Sequence, residues 1–243
     1  TELSEFDSRS MSILPMMVKA SDGIRMNIME SSLYDYPGMY LRRGDDLLEL
    51  RGTFAAYPEK VEQGGHNSLQ EIVGSRRDYI AHCSAEEKFP WRIIAIGDDR
   101  AMADCDLVWL LGEDPAEGSD WDWVKPGKVA WEWWNGWNVK GVDFKAGINN
   151  DTYKFYIDFA AEYGIEYVIL DEGWSVKGAA DLMKVVPEID IKELVDYAAA
   201  RNVGIILWAG YWAFDRDMEN ICRHYSSLGV KGFKIDFMDR DDQ

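Results

Sequence analysis

The chain has 243 residues, 47% of them apolar, with 44 acidic against 26 basic side chains and a formal net charge of -18. That apolar content can bury a core in one barrel or two smaller domains, while the negative charge argues against nucleic acid and against an anionic membrane surface, because both would be repelled. Cys83, Cys105 and Cys222 are scattered and form no CxxC pair, which leaves no sequence-evident zinc site or disulfide framework, and no apolar run reaches the ~18 to 20 residues of a membrane span.

The first residue is Thr1, and no basic region followed by an apolar stretch marks a signal peptide, so the sequence reads as a processed or excised product. From Thr1 to about Ala116 the pattern is short alternating runs, as in Ile24 to Met29, Gly38 to Leu41, Tyr79 to His82 and Trp91 to Ile96. Turn residues punctuate them at Asp22-Gly23, Tyr36-Pro37-Gly38, Arg43-Gly44-Asp45 and Gly64-Gly65. This is antiparallel sheet without a strong helix.

After the acidic loop from Glu113 to Asp120 the rhythm changes to strands alternating with helices of about a dozen residues, which predicts βα units around a parallel sheet. The predicted strands are Lys128 to Trp134, Tyr167 to Leu170, Gly204 to Trp208 and Gly232 to Asp236. The predicted helices are Asp151 to Tyr163, capped by Asp151, then Ile191 to Ala200 and Met218 to Leu228, the last stopped by Gly229. Half of a (β/α)8 barrel and a small doubly wound sheet both fit this string, although no GxGxxG follows any strand to support a dinucleotide site.

In such architectures chemistry gathers at the C-terminal strand ends. Here the strands run into Trp133-Trp134-Asn135-Gly136-Trp137-Asn138, Asp171-Glu172-Gly173-Trp174, Trp208-Ala209-Gly210-Tyr211-Trp212 and Lys234-Ile235-Asp236-Phe237. Acids, amides and indoles on one rim suit a sugar, whose C–H faces stack on rings while its hydroxyls hydrogen-bond in plane. Lys234 and Asp236 are two apart in a strand and share a side, where the lysine favours an ionised, nucleophilic carboxylate. A strand-end aspartate in a plain ion pair fits that spacing equally well. Asp171 and Glu172 are adjacent and are expected on opposite sides, with Asp171 facing the pocket. Asp239-Arg240-Asp241-Asp242 is expected to be a solvated charge run, and His66, His82 and His224 carry no assigned role.

These motifs resemble glycoside hydrolase family 97. The match rests on Met29-Glu30 with Tyr34-Asp35-Tyr36-Pro37-Gly38-Met39-Tyr40-Leu41, on Phe89-Pro90-Trp91-Arg92, on Trp131-Glu132-Trp133-Trp134-Asn135-Gly136-Trp137-Asn138, on Tyr167 to Trp174 and on Gly232 to Phe237. The resemblance implies an α/β plus β fold: residues 1–116 as the C-terminal portion of a β-super-sandwich, and residues 117–243 as the first four units of a (β/α)8 TIM barrel. An aspartate at the end of the fourth strand, here Asp236, marks the retaining, α-galactosidase-like branch, as opposed to the inverting α-glucosidases.

The resemblance further implies Asp236 as nucleophile, with Lys234, Asp171, Trp137, Asn138, Trp174 and Trp208 around the sugar, and calcium as a cofactor with Glu30 as one ligand. The substrate is an oligosaccharide ending in an α-galactoside, with an α-glucoside as the alternative, and the compartment is periplasmic or secreted. The acid/base glutamate of the family comes from later in the barrel, so this 243-residue chain is expected to turn over little by itself. A sugar-binding module without catalysis and a truncated, inactive product are the competing readings.

Overall fold

The computed structural model describes residues 6, 10–46, 48–178 and 180–243. The chain divides into two units, the first made of Thr1–Val61, Val73–Asp120 and Arg240–Gln243, the second of Glu62–Ile72 and Trp121–Asp239.

The first unit is built from antiparallel sheets. Strands β1 (Met11–Ser12), β2 (Met16–Ser21), β3 (Ile24–Ser31), β4 (Tyr40–Arg43) and β5 (Leu50–Thr53) are followed by a ribbon of β6 (Pro58–Gly64) and β7 (Gln70–Arg76), whose tip belongs to the second unit. Then come β8 (Trp91–Gly97) and two short helices, α1 (Asp99–Ala103) and α2 (Leu107–Leu110). The sheet orders are β1-β4-β5 and β2-β3-β8. Period-two patterning decides what is buried: Met16 and Val18 go inward with Ile28 and Leu41, while Ile93 and Ala95 of β8 are buried and Ile94 and Ile96 between and beyond them face out.

Two expectations fail in this unit. Tyr79 to His82 is not a strand: Tyr79 O and Tyr57 N close a loop there, and the two rings pack at 5.4 Å. The acidic run after Asp239 is not solvated either, because the Asp242 side chain is 1% exposed, held by Arg76 at 2.8 Å and Arg240 at 2.7 Å.

In the second unit, β9 (Val129–Trp131), β10 (Tyr167–Leu170), β13 (Gly204–Gly210) and β14 (Gly232–Asp236) form one parallel sheet in the order β14-β13-β10-β9. The helices between them are α3 (Asn150–Tyr163), α4 (Ile191–Ala199), α5 (Tyr211–Asp215) and α6 (Met218–Leu228). An antiparallel pair that the periodicity did not announce, β11 (Ser175–Val176) with β12 (Asp181–Val185), follows β10.

Buried runs such as Val168-Ile169-Leu170 are what a parallel sheet covered on both faces requires. Against them pack Ile157 and Ala160 of α3 and Leu194 and Ala198 of α4. The start of α3 is capped by Asn149, whose side chain accepts the Thr152 N–H, so Asp151 lies in the first turn and does not cap. Gly229, at φ 101, ends α6 as its position predicted. The extended part of the first parallel strand stops at Trp131, and Glu132–Asn135 winds into a 3-10 turn closed by left-handed Gly136.

Candidate functional site

A cavity of about 500 Å³ opens at the C-terminal ends of the four parallel strands, within the size range of small-molecule sites. It is lined by Trp131 at the end of β9 and Trp133 and Trp137 after it, Asp171 and Glu172 after β10, Trp208 of β13, and Lys234, Asp236 and Phe237 at the end of β14. His66 and Asn67, from the β6–β7 tip, complete one side.

Asp236 is the last residue of β14 and its side chain is 43% exposed. Phe237 N–H donates to Oδ1 at 2.9 Å, while Lys234 Nζ at 3.3 Å and the Trp208 indole at 3.2 Å donate to Oδ2. Partial burial pushes this carboxyl up. The Phe237 amide, the Trp208 indole and the Lys234 ammonium outweigh it and hold Asp236 below the usual aspartate value. Phe237 adopts a left-handed φ of 57°, an expensive conformation for a bulky residue, and its amide turns back to the carboxylate it follows.

Lys234 also donates to Asp171 Oδ2 at 3.0 Å and lies 4.2 Å over the Trp131 ring, so the cation is shared between two carboxylates and a π face. The Trp131 indole reaches the same Asp171 oxygen at 2.5 Å, and Glu172 N–H donates to Oδ1. Trp131 and Trp133 stack at 5.5 Å, and the half-exposed Trp133 presents an aromatic platform beside the charged groups.

The structure brings Asp236, Lys234, Asp171, Trp137 and Trp208 to one cavity. Asn138 and Trp174 are not on its wall. Asn138 spends its amide on the Asn135 carbonyl, and its own carbonyl accepts from Asn135 and Tyr156, so it locks the loop after β9. Trp174 has no exposed surface: it donates to the Trp208 carbonyl and packs edge-on to Tyr225, which makes it a core residue. Its loop does not open toward the pocket because Gly173, at φ 123, turns the chain inward. A Cβ there would stand 2.3 Å from Ile148.

Several lining residues escaped the sequence reading, Glu172 and His66 among them. Glu172 points to the same cavity as Asp171 because β10 has ended at Leu170 and strand alternation no longer applies. It accepts from Asn67, lies 3.3 Å from His66 Nε2, and His66 in turn stacks on Phe237 at 4.8 Å. No local pattern in the sequence pairs a turn residue of the β6–β7 tip with the end of β10.

Glu30 lies in the first unit, where burial raises its carboxyl, while Met39 N–H at 3.1 Å and the Arg92 guanidinium at 2.9 Å oppose the rise. Calcium takes six to eight oxygens, and no group of three or more His, Cys, Asp or Glu side chains arranged for a metal occurs among the described residues. One carboxylate held by an arginine does not make that site, so the described residues do not fit the ion by themselves.

Residues 1–114 match the glycosyl-hydrolase 97 N-terminal model and residues 133–243 the glycoside hydrolase 97 model. A retaining α-galactosidase of Bacteroides thetaiotaomicron is 57% identical over the whole chain, which covers 37% of that relative. A probable retaining α-galactosidase of Streptomyces bingchenggensis is 31% identical over 81% of the chain and 32% of the relative. The chain thus spans about a third of the length of the curated relatives it matches.

Among solved structures, a glycoside hydrolase family 97 enzyme from Pseudoalteromonas sp. strain K8, in complex with panose, superposes with a TM-score of 0.66 at 23% identity, over 96% of this chain and 34% of the other. A β-arabinopyranosidase superposes at 0.53 and 22% identity, over 90% and 32%. The chain belongs to glycoside hydrolase family 97.

Proposed function

We propose that the protein is a retaining glycoside hydrolase acting on terminal α-linked galactose, with Asp236 as its nucleophile. The observation that carries this reading is the Asp236 carboxylate, partly exposed at the cavity and held below the usual aspartate value by the Phe237 amide, the Trp208 indole and Lys234 at 3.3 Å. In double displacement a carboxylate oxygen attacks the anomeric carbon as the glycosidic C–O bond breaks, and the leaving oxygen takes a proton from a second carboxyl group roughly 5 to 5.5 Å away. That group then activates water, which cleaves the glycosyl ester with net retention. The acid/base is not assigned to a residue of this chain.

In this reading Lys234 and Asp171 hold sugar hydroxyls, Trp208 orients Asp236, and Trp137 closes the pocket. Residues 1–116 are part of the N-terminal sandwich, and residues 117–243 are the first four βα units of a (β/α)8 barrel. The sequential parallel order of the four strands supports the barrel, because a doubly wound sheet reverses its strand order at a switch point. Calcium bound through Glu30 and a periplasmic or secreted location rest on the family resemblance alone.

The test is the full-length protein with 4-nitrophenyl α-galactoside and 4-nitrophenyl α-glucoside, with the anomer first released followed by proton NMR. The reading expects the galactoside to be preferred and α-galactose to appear first. Preference for the glucoside with first release of the β-anomer would instead assign an inverting α-glucosidase.

A further inference from the structure

Behind the cavity wall lies a carboxyl that the proposed reaction does not use. Glu132 follows β9, has no exposed surface, and forms no ion pair among the described residues. Its Oε1 accepts two hydrogen bonds, from the Asp171 N–H at 2.8 Å and from the Tyr153 hydroxyl at 2.9 Å. Its Oε2 is buried with no hydrogen-bond partner among the described residues. A buried carboxylate oxygen without a donor is costly, whereas a protonated oxygen there leaves Oε1 free to accept both bonds.

Each of those two bonds leads to the cavity. The Asp171 carboxylate holds Lys234 at 3.0 Å, and Lys234 reaches Asp236. The Tyr153 hydroxyl, donated from α3 to Glu132, accepts the indole N–H of the cavity-lining Trp137 at 3.2 Å. One carboxyl therefore ties together an acidic wall and an aromatic wall that lie on different elements. We propose that Glu132 is a positioning residue, which fixes Asp171 with its lysine on one side and Trp137 on the other without touching the sugar.

The inference takes its substrate from the proposed function but not its geometry. Burial pushes the Glu132 carboxyl up to about 7, the Asp171 N–H, its own backbone N–H and the Tyr153 hydroxyl oppose the rise, and the charge of Asp171 adds to it. The titratable groups facing it are Tyr153 and Tyr156 from α3 and Asp171 just after β10, with Lys234 beyond Asp171. Ionisation places a second negative charge behind Asp171, so the network is expected to loosen as pH rises through about 7.

In the full-length enzyme, Glu132→Gln keeps the accepting oxygen and removes the ionisation. Its kcat/KM for 4-nitrophenyl α-galactoside is expected to stay within about threefold of wild type at pH 6, and to lack the decline above pH 7 that is expected of wild type. Glu132→Ala removes both bonds and is expected to raise KM at least about tenfold. Folded variants with the KM and pH profile of wild type would overturn the proposal.

A second measurement needs neither activity nor a variant that folds. In wild-type protein labelled with 13C at glutamate carboxyls and 15N at tryptophan indoles, the buried glutamate is expected to titrate near pH 7, and the Trp137 and Trp131 indole signals are expected to move with the same midpoint. Indole signals that stay still through that transition would sink the positioning role, even if the enzyme proves to be a galactosidase. A correlated shift would support it, even if no galactosidase activity is found.

Discussion

Asp236 and Glu132 stand at the same end of one parallel sheet, the first as the last residue of edge strand β14 and the second just after edge strand β9, and their surroundings treat the two carboxyls in opposite ways. Asp236 is partly open to solvent, with three donors including an ammonium group, and its carboxyl is pulled down. Glu132 is sealed, with no ion-pair partner among the described residues and with a neighbouring carboxylate, and burial drives it up to about 7. The difference is one of burial first, and then of donors, where Asp236 has the Phe237 amide and the Trp208 indole ahead of the Lys234 ammonium. Lys234, two residues before Asp236, turns to Asp236 and Asp171 and leaves Glu132 uncompensated. An ionised group at the mouth suits attack on an anomeric carbon, and an uncharged one behind the wall suits holding that wall in place.

The comparison breaks most directly at Asp236. Replacing it with alanine in the full-length enzyme is expected to lower kcat on the order of 10⁴-fold, the scale of losing a reacting side chain, with circular dichroism unchanged. A loss below about tenfold would remove Asp236 from the reaction.

Glu132 is expected to show itself in stability. Its folded-state pKa lies above the ordinary glutamate value of 4.5, so the folded form binds its proton more tightly, and stability drops as pH rises from about 4.5 to about 7. The full difference is on the order of 3 kcal/mol, and Glu132→Gln removes it. Urea melts of this chain at pH 5 and pH 8 should therefore show a larger fall for wild type than for the variant. Equal falls would mean that Glu132 ionises freely.

The smallest expected effect belongs to the cation between them. Lys234→Met leaves Asp171 and Asp236 without their shared ammonium, so activity is expected to fall about 10²-fold. The acidic limb of the pH profile is also expected to move upward, because Asp236 is depressed partly by that charge. A fall with an unmoved acidic limb would mean that Lys234 serves binding only.

Much of this arrangement was legible in the sequence, for reasons that differ by residue. The pairing of Lys234 with Asp236 follows from a period of two within a strand, and the strand itself from an apolar run after a glycine-stopped helix. Asp171 was identifiable because it directly follows a short buried strand. Trp174 was misplaced because sequence spacing cannot tell that Gly173 turns the next residue into the core. Glu172 was misplaced because alternation was extended past the end of β10.

His66 and Glu132 were beyond local reading for a common reason: what defines each is a contact far along the chain. His66 meets Glu172, and Glu132 meets Tyr153 and Asp171. The tail from Arg240 to Gln243 failed in the same way, since Arg76 is what buries Asp242. Composition and period predict which elements form, but not which distant side chain supplies a counter-charge.

The central claim is that Asp236 forms a covalent bond to the sugar. Incubating the full-length enzyme with an activated 2-deoxy-2-fluoro-α-galactoside and mapping the modified peptide by mass spectrometry tests it most directly. The account predicts a single added fluorogalactosyl group on the peptide containing Asp236, absent in Asp236→Asn. The same group on another carboxylate, or an unmodified enzyme that releases β-galactose first, would contradict it.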